Sequence, residues 1–211
     1  MISILIVDDH PIIRDGLRTG LAQEADMKVV GEAQNADEAI AGVREEKPDI
    51  VLLDISLPGK NGFEVLKQLH AEMPDVRVLI LSTYSEKQYA VRCLKSGAWG
   101  YLTKSSSSAE LIEAIRTIMQ GKKYVGASLA QLLASEIDAS RIALPHEVLS
   151  DREFQILCLF GQGKTVSQIA EILSLSVSTV GTHRAHILEK MHMKSTIELV
   201  KYAFDHELVT Q

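Results

Sequence analysis

Four short apolar runs, separated by segments with helical periodicity, constrain the fold of this chain more than any other feature. Runs of this length without polar alternation are typical of parallel strands that are buried on both faces of a sheet. Strands and helices that alternate along the chain predict an α/β domain with helices on both faces of its sheet. The runs are residues 2–7, 50–53, 76–81 and 99–102.

Polar side chains follow these predicted strands. In a doubly wound sheet the carboxyl ends of the strands form the ligand crevice, so we expect these side chains to meet there. Several carboxylates in one crevice repel each other unless a hard cation with oxygen ligands, such as Mg²⁺, lies between them. A lysine beside that cation favours an anion, most simply a phosphoryl group. The side chains are Asp8, Asp9, Asp54, Ser82 and Lys104.

The stretches that carry these side chains resemble the receiver domain of two-component response regulators. They are residues 5–9 (LIVDD), 49–62 (DIVLLDISLPGKNG), 79–82 (LILS) and 97–104 (GAWGYLTK). The resemblance implies a receiver domain over residues 1–121, with a flavodoxin-like, doubly wound sheet of five parallel strands. Five helices are predicted in this half, at residues 11–24, 35–45, 62–72, 86–96 and 108–120.

The resemblance also implies a role for each residue of the crevice. Asp54 would accept a phosphoryl group from a sensor histidine kinase and form an acyl phosphate. Asp9, Asp54 and the backbone carbonyl of Ser56 would bind Mg²⁺ directly, whereas Asp8 would act largely through water. Lys104 would contact the phosphoryl oxygens. Phosphoryl transfer depends mainly on positioning and charge stabilisation, so these few groups suffice for it.

Two residues are implied to respond to the phosphoryl group. Ser82 would hydrogen-bond to it and draw in the following loop, residues 83–85, so that Tyr101 turns inward. The altered surface would then favour dimerisation or domain separation, a shift between two receiver states. Turn capping by Ser82 and plain core packing of Tyr101 are the structural alternatives. His10 is expected to be a loop or helix-entry residue rather than a metal ligand, and the peptide bond after Lys104 is expected to be trans.

The alternation of strands and helices stops in the second half of the chain. Residues 122–147 are predicted to be a linker, within which residues 129–137 have the pattern of a short amphipathic helix. Residues 148–211 contain no strand pattern and are predicted to form a small all-α domain. Its four helices are predicted to start with caps at Ser150, Thr165, Ser176 and Ser195.

The turn at residues 174–176 joins two of these helices in the arrangement of a helix-turn-helix. Residues 149–153 (LSDRE), 169–175 (IAEILSL) and 176–183 (SVSTVGTH) resemble the LuxR-type DNA-binding domain. With the receiver in front, the whole chain resembles a response regulator of the NarL/FixJ class. The resemblance implies a transcriptional regulator that binds double-stranded promoter DNA and forms a homodimer when it is phosphorylated.

The third helix of this domain is expected to enter the major groove of DNA. Thr182 on its outward face is a candidate base contact. Arg184 falls near the apolar face, with a guanidinium that can reach a phosphate or an acid. The candidate backbone contacts are Thr179, His183, Lys190 and Lys194. The residues predicted to face the core are Val177, Val180, Ile187, Leu188 and Met191.

Two features of this domain depart from the family pattern. Relatives often carry lysine at the positions of Gly181 and Ala185. Gly181 costs the helix roughly 1 kcal/mol relative to alanine, and either permits close approach to DNA or is a tolerated loss. From His146 onward, six Lys and Arg residues stand against eight Asp and Glu residues, a net charge of −2. We therefore expect weak DNA binding by the monomer and dependence on a dimer.

The last predicted helix carries an apolar face with two possible roles. It either completes the small core or forms the dimer contact that the family resemblance suggests. A two-fold axis through such a contact would match an inverted-repeat DNA site. The face consists of Ile197, Val200, Lys201 and Phe204.

Composition bounds the remaining function classes. No apolar run approaches the ~18 residues that a membrane helix needs, and signal-peptide features are absent. Cys93 and Cys158 are expected to be buried thiols rather than a disulfide, and we expect a cytoplasmic location. The net charge of −6 argues against indiscriminate nucleic-acid binding.

Two other functions compete with phosphorylation-controlled regulation of transcription. A Mg²⁺-dependent phosphohydrolase would also form an aspartyl phosphate, but Ser56 stands where a second acid would follow Asp54. A regulator that binds DNA without phosphorylation would retain the acidic pocket for stability or for a protein partner. We do not expect an enzyme: turnover should be limited to self-phosphorylation from a donor and slow dephosphorylation.

Overall fold

The computed structural model describes residues 1–57, 62–84, 86–136 and 144–209. It divides into two compact units, Met1–Leu133 and Ala134–Gln211. The first unit is α/β and the second is helical, which confirms the predicted fold class. The predicted linker at residues 122–147 stays a prediction; within it the chain forms the helix Ala127–Glu136.

Five parallel strands form a single sheet in the first unit. They are β1 (Ile2–Val7), β2 (Met27–Ala33), β3 (Ile50–Leu53), β4 (Arg77–Ser82) and β5 (Gly100–Thr103). Their order in the sheet is β2-β1-β3-β4-β5. The winding direction reverses between β1 and β3, the point at which doubly wound sheets bind ligands. The last two strands begin and end one residue later than predicted, so Ser82 closes β4 instead of following it.

The described residues also form ten α-helices and one 3₁₀ turn, Pro145–Val148. Five helices follow the strands of the first unit: α1 (Pro11–Leu21), α2 (Ala36–Glu46), α3 (Gly62–Glu72), α4 (Glu86–Lys95) and α5 (Ser108–Met119). The others are α6 (Ala127–Glu136), α7 (Asp151–Gly161), α8 (Val166–Ile172), α9 (Val177–Lys190) and α10 (Thr196–Asp205).

Among the described residues, hydroxyl and amide side chains cap six helices, including the four helices of the second unit for which the sequence predicts caps. Each cap accepts a hydrogen bond from a backbone N–H in the first helical turn, which satisfies a group that lacks an intrahelical partner. These caps are Asn35, Ser107, Ser150, Thr165, Ser176 and Ser195. Helix α1 ends at Leu21 rather than at the predicted Glu24, because the carbonyl of Glu24 accepts from the amide of Met27 and turns the chain into β2.

The sheet is buried on both faces, which explains why its strands lack polar alternation. One face packs against α1 and α5, where Leu111, Ile115 and Ile118 meet Ile6 and Leu52. The opposite faces of β1, β3 and β4 are equally buried and lie on the side of α2, α3 and α4. The sheet is therefore the middle of three layers, as predicted.

The second unit forms its core around α7, which packs against α9 and α10. Val180 and Ile187 of α9 are fully buried there, as predicted. The prediction for Val177 was wrong, because 54% of this residue is exposed. Val177 is the first residue of α9 and lies at the edge of its apolar stripe, where burial by neighbouring helices is incomplete.

Three smaller expectations concern local chemistry. Cys93 and Cys158 are buried thiols, as predicted. The peptide bond between Lys104 and Ser105 is trans. Among the described residues, no helix combines the length and the apolar character that crossing a membrane requires.

Candidate functional site

An acidic cluster lies at the switch point of the sheet. Asp8 follows β1 and Asp54 follows the neighbouring strand β3, so the parallel register brings their side chains to the same edge. Ligand atoms of Asp8, Asp9, His10 and Asp54 all lie within 4.8 Å of one another. The carboxylates of Asp8 and Asp54 are almost fully buried, whereas His10 is exposed.

Lys104 joins two carboxylates of this cluster. Its Nζ lies 2.5 Å from Oδ2 of Asp8 and 2.7 Å from Oδ2 of Asp54. Backbone hydrogen bonds hold the three residues in place: the amide of Asp8 donates to Ala33, that of Asp54 to Val7 and that of Lys104 to Ser82. The lysine therefore occupies the position from which it can meet an anion bound at Asp54.

Burial and the charge of Lys104 shift the pKa of Asp54 in opposite directions. Burial raises the pKa of Asp54 above its ordinary value, and the charge of Lys104 offsets only part of that rise. Burial alone would lower the pKa of Lys104, but Asp54 and Asp8 outweigh burial and raise this pKa. The lysine therefore stays protonated and can stabilise negative charge at this edge of the sheet.

A buried carboxylate oxygen of the cluster and a hydroxyl oxygen of the adjoining Ser56 lack hydrogen-bond partners among the residues described, and the carboxylate oxygen is a suitable ligand for a divalent cation. Oδ1 of Asp9 accepts no hydrogen bond from any described residue, although Nδ1 of His10 lies 2.8 Å away. Oγ of Ser56 likewise has no hydrogen-bond partner in the described part of the chain. Buried polar atoms are almost always paired, and hard cations prefer carboxylate and carbonyl oxygens. The donor set is thus suitable for Mg²⁺.

Two contacts around the cluster were not predicted. Nη1 of Arg14 donates a 2.6 Å hydrogen bond to the backbone carbonyl of Asp8, and its Nε pairs with Glu32. His10 enters α1 as predicted, but its Nδ1 also lies within 3.2 Å of Oδ1 of Asp8. The position of Arg14 in the first turn of α1, five residues after Asp9, is the only sequence signal for its contact.

Gly62, the first residue of α3, lies directly against the backbone of the candidate acceptor. A Cβ atom at this position would come 2.4 Å from the carbonyl oxygen of Asp54 and 2.5 Å from Cα of Ile55. The amide of Gly62 also donates to the carbonyl of Ile55 at 3.2 Å. Only glycine permits this close approach, so Gly62 helps to set the position of Asp54.

Ser82 and Tyr101 are linked through one loop residue. The amide of Tyr84 donates to Oγ of Ser82 at 3.2 Å, and the hydroxyl of Tyr101 donates to the carbonyl of Tyr84 at 2.8 Å. Tyr101 is fully buried, which is the inward orientation expected for the phosphorylated state. Ser85, the end of the predicted switch loop, lies outside the described residues.

The helix-turn-helix consists of α8, a short turn and α9. In the turn, Ser174 has a φ of 51° and the amide of Leu175 donates to Ala170. Thr182 is exposed on α9, and its hydroxyl donates to the carbonyl of Ser178. Thr179 is half-buried, with its Oγ1 2.7 Å from Oγ of Ser176.

The charged and basic candidates for DNA contact, on α9 and just after it, differ in whether other groups of the chain already bind them. Nε of Arg184 donates to Oγ1 of Thr196 at 2.7 Å. Burial, followed by the charge of a nearby arginine, lowers the pKa of His183, so this imidazole is mainly neutral at neutral pH. Lys190 pairs with Glu153, whereas the exposed Lys194 forms no ion pair with a described side chain.

The predicted apolar face of α10 lies mainly at the surface, and residues outside that face fill the core. Leu199 and Ala203 are fully buried, but 80% of Ile197 and 52% of Phe204 are exposed. Lys201 is exposed beside them, and Val200 is half-buried. Ile197 and Phe204 therefore do not complete the core of this unit.

Family models cover both units. Residues 4–116 match the response regulator receiver domain. Residues 147–203 match the bacterial regulatory proteins of the luxR family. Each match contains the corresponding candidate residues, from Asp8 to Lys104 and from Thr179 to Lys194.

Full-length relatives share this arrangement. The chain is 37% identical to the response regulator GacA of Pseudomonas viridiflava over 99% of its length and 98% of the relative. It is 38% identical to the oxygen regulatory protein NreC of Staphylococcus epidermidis, over 98% of this chain and 99% of the relative. The solved RcsB–DNA complex is similar over 99% of both chains, with a TM-score of 0.61 and 26% identity. The chain therefore belongs to the DNA-binding response regulators of two-component systems, in which a receiver domain precedes a LuxR-type domain.

Proposed function

We propose that phosphorylation of Asp54 controls binding of this regulator to promoter DNA. The observation that carries the proposal is the contact of Lys104 with Asp54 and Asp8 at the switch point of the sheet. A buried nucleophilic carboxylate next to a protonated lysine is suited to receive a phosphoryl group and to stabilise its charge. The phosphoryl donor would be a sensor histidine kinase, as in two-component systems generally.

The proposed reaction needs few groups of the protein. An Asp54 oxygen forms a bond to phosphorus while the bond from phosphorus to the donor nitrogen breaks, which gives an acyl phosphate. Lys104 then contacts a phosphoryl oxygen. Asp9, Asp54 and the carbonyl of Ser56 would hold Mg²⁺, with Asp8 acting through water. When bound, this ion offsets the negative charge that accumulates on the phosphoryl oxygens.

Ser82 and Tyr101 would transmit the change. A hydrogen bond from Ser82 to the phosphoryl group alters the environment of the Tyr84 amide, which now donates to Ser82. The carbonyl of Tyr84 accepts a hydrogen bond from the hydroxyl of Tyr101. Ser82 and Tyr101 therefore respond together, because both bind the backbone of Tyr84. This coupling supports a phosphorylation-dependent shift between two receiver states.

The second domain would bind DNA as a dimer in the cytoplasm. The outward face of α9, with Thr182, would lie in the major groove, while Thr179, His183, Arg184 and Lys194 lie near the backbone. The net negative charge of this domain favours two copies acting together. The exposed Ile197 and Phe204 on α10 support a symmetric contact between copies.

Intact-protein mass spectrometry tests the acceptor. The parent chain, Asp54→Asn and the control Asp75→Asn, which removes an exposed carboxylate, are incubated with a small-molecule phosphodonor and Mg²⁺. We expect one phosphoryl adduct in the parent and in the control, and none in Asp54→Asn. An adduct that survives Asp54→Asn, or none in the parent, would reject Asp54 as the acceptor.

A further inference from the structure

Glu153 places a buried carboxylate between two helices of the DNA-binding unit. Its side chain is 5% exposed. Nζ of Lys190 donates to both of its oxygens, at 2.9 and 2.6 Å. The amide of Ser150 donates to Oε2 at 2.8 Å, which completes the capping box of α7. One carboxylate thus connects the first turn of α7 to the last residue of α9.

Arg152, the residue before Glu153, contacts α8, the first helix of the helix-turn-helix. Nη2 of Arg152 donates to the carbonyl of Leu173, the C-cap of α8, at 3.1 Å. Its Nη1 donates to Oε1 of Gln155 at 2.8 Å, which holds the guanidinium against α7. Consecutive residues of opposite charge on α7 therefore contact the end of α8 and the end of α9.

In this arrangement the ammonium of Lys190 binds Glu153 and is not available to bind a DNA phosphate. If its ammonium moved to a phosphate, the Glu153 carboxylate would be left buried with its main cationic partner gone. His186 is a weak substitute, because its Nδ1 lies 3.9 Å from Glu153. The Lys190 side chain is 42% exposed, but the Glu153 carboxylate is 5% exposed, and a buried charge that loses its cationic partner costs more than an exposed ion pair contributes.

We propose that Glu153 and Lys190 are a positioning pair that sets the direction of α9 relative to α7. Lys190 then supports recognition of a DNA sequence through this pair rather than through a phosphate contact. The proposal rests on the proposed function in one respect, that α9 is the helix that enters the major groove.

Lys194 provides a matched lysine for comparison. It follows the end of α9 by four residues, is exposed, and forms no ion pair with a described side chain. A lysine of this kind suits a phosphate contact. Loss of one phosphate contact lowers the slope of log affinity against log salt by about 0.9.

The test measures affinity of the full chain for a selected DNA site and for an unrelated duplex across a salt series. We expect Glu153→Gln and Lys190→Met each to weaken binding of the selected site about tenfold or more, with the salt slope unchanged. The double variant should be no weaker than either single variant, because both remove one pair. Lys194→Met should weaken both duplexes alike and reduce the slope.

A change in DNA affinity of the opposite sign in Glu153→Gln would overturn the proposal. If Lys190 contacts a phosphate, Glu153→Gln frees the lysine and strengthens binding, while Lys190→Met reduces the salt slope. Glu153→Asp keeps the charge but shortens the side chain, and covers the case in which the neutral variants fail to fold. It should also lose sequence-specific binding; parent-like binding would reject a positioning role.

Failure of the proposed function gives a different result. A parent chain without preference for any DNA site would reject that function. Amide hydrogen exchange in α9 then tests the pair by itself. We expect faster exchange in Glu153→Gln and Lys190→Met but not in Lys194→Met, and equal exchange in all of them would reject the pair.

Discussion

The hydroxyl of Tyr101 donates a hydrogen bond to the backbone carbonyl of Tyr84, 2.8 Å away in the loop after β4. The amide of Tyr84 donates in turn to Ser82, which stands at the end of the strand beside the acidic cluster. A buried tyrosine on β5 is thereby connected to the pocket through a single backbone residue. This connection gives the proposed phosphorylation signal a physical route.

Removal of the Tyr101 hydroxyl should leave phosphorylation intact but weaken the dimer formation that follows it. Tyr101→Phe deletes the donor to Tyr84 at a cost of about 0.5–1.5 kcal/mol and leaves the pocket side chains in place. We expect a normal phosphoryl adduct by mass spectrometry but a reduced gain in dimer formation by size-exclusion chromatography. A variant that dimerises on phosphorylation like the parent would show that Tyr101 only fills the core.

A methyl group at Gly62 should displace the candidate acceptor. Gly62→Ala forces a Cβ against the carbonyl oxygen of Asp54 and Cα of Ile55, both of them backbone atoms. We expect destabilisation of about 1–3 kcal/mol in chemical denaturation, together with slower formation of the phosphoryl adduct. Gly16→Ala is the matched control, because a Cβ there meets nothing within 4 Å. Equal behaviour of the two variants would contradict the close-approach argument.

Gly181 has no reason within this chain to be glycine. It lies inside α9, and a Cβ there would meet no atom within 4 Å. Gly181→Ala should therefore stabilise the DNA-binding unit by about 1 kcal/mol in thermal denaturation. Weaker DNA binding by this more stable variant would mean that DNA approaches the helix closely at this position. Unchanged binding would mean that the glycine is a tolerated loss.

Acid should weaken the contact between α7 and α9. Burial raises the pKa of Glu153, but hydrogen bonds from Lys190 and Ser150 outweigh burial and hold it below the ordinary value of 4.5. A lowered pKa in the folded state contributes stability above the ordinary value, and this contribution is lost as the pH falls through the lowered pKa. Glu153→Gln should therefore be less stable than the parent near neutral pH, by urea denaturation. The difference should shrink below pH 4.5, and a constant difference would contradict the argument.

The group of polar side chains at the carboxyl edge of the sheet was predictable from the sequence, because the apolar runs locate the strands and the polar residues follow or end them. Apolar runs locate β1, β3, β4 and β5, and parallel pairing then brings Asp8, Asp54 and Lys104 together without knowledge of the loops. Strand β2 was implied only by the family resemblance, because only its two end residues are buried and it includes polar residues such as Glu32, so it forms no continuous apolar run.

Contacts between helices were harder to predict. The capping box at Ser150 and Glu153 is visible in the sequence, but the same carboxylate also binds Lys190, 37 residues away. No periodicity relates those positions. The exposure of Val177 was missed for a similar reason, since helical spacing assigns a residue to a face but does not say where the neighbouring helix ends.

The most direct test of the central claim is the affinity for a selected DNA site with and without a small-molecule phosphodonor and Mg²⁺. The site is first obtained by selection from random duplexes, and fluorescence anisotropy then compares the parent chain with Asp54→Asn. We predict that the donor increases the affinity of the parent and has no effect on the variant. Equal affinity of both proteins under both conditions would contradict phosphorylation control and favour a regulator that binds DNA without it.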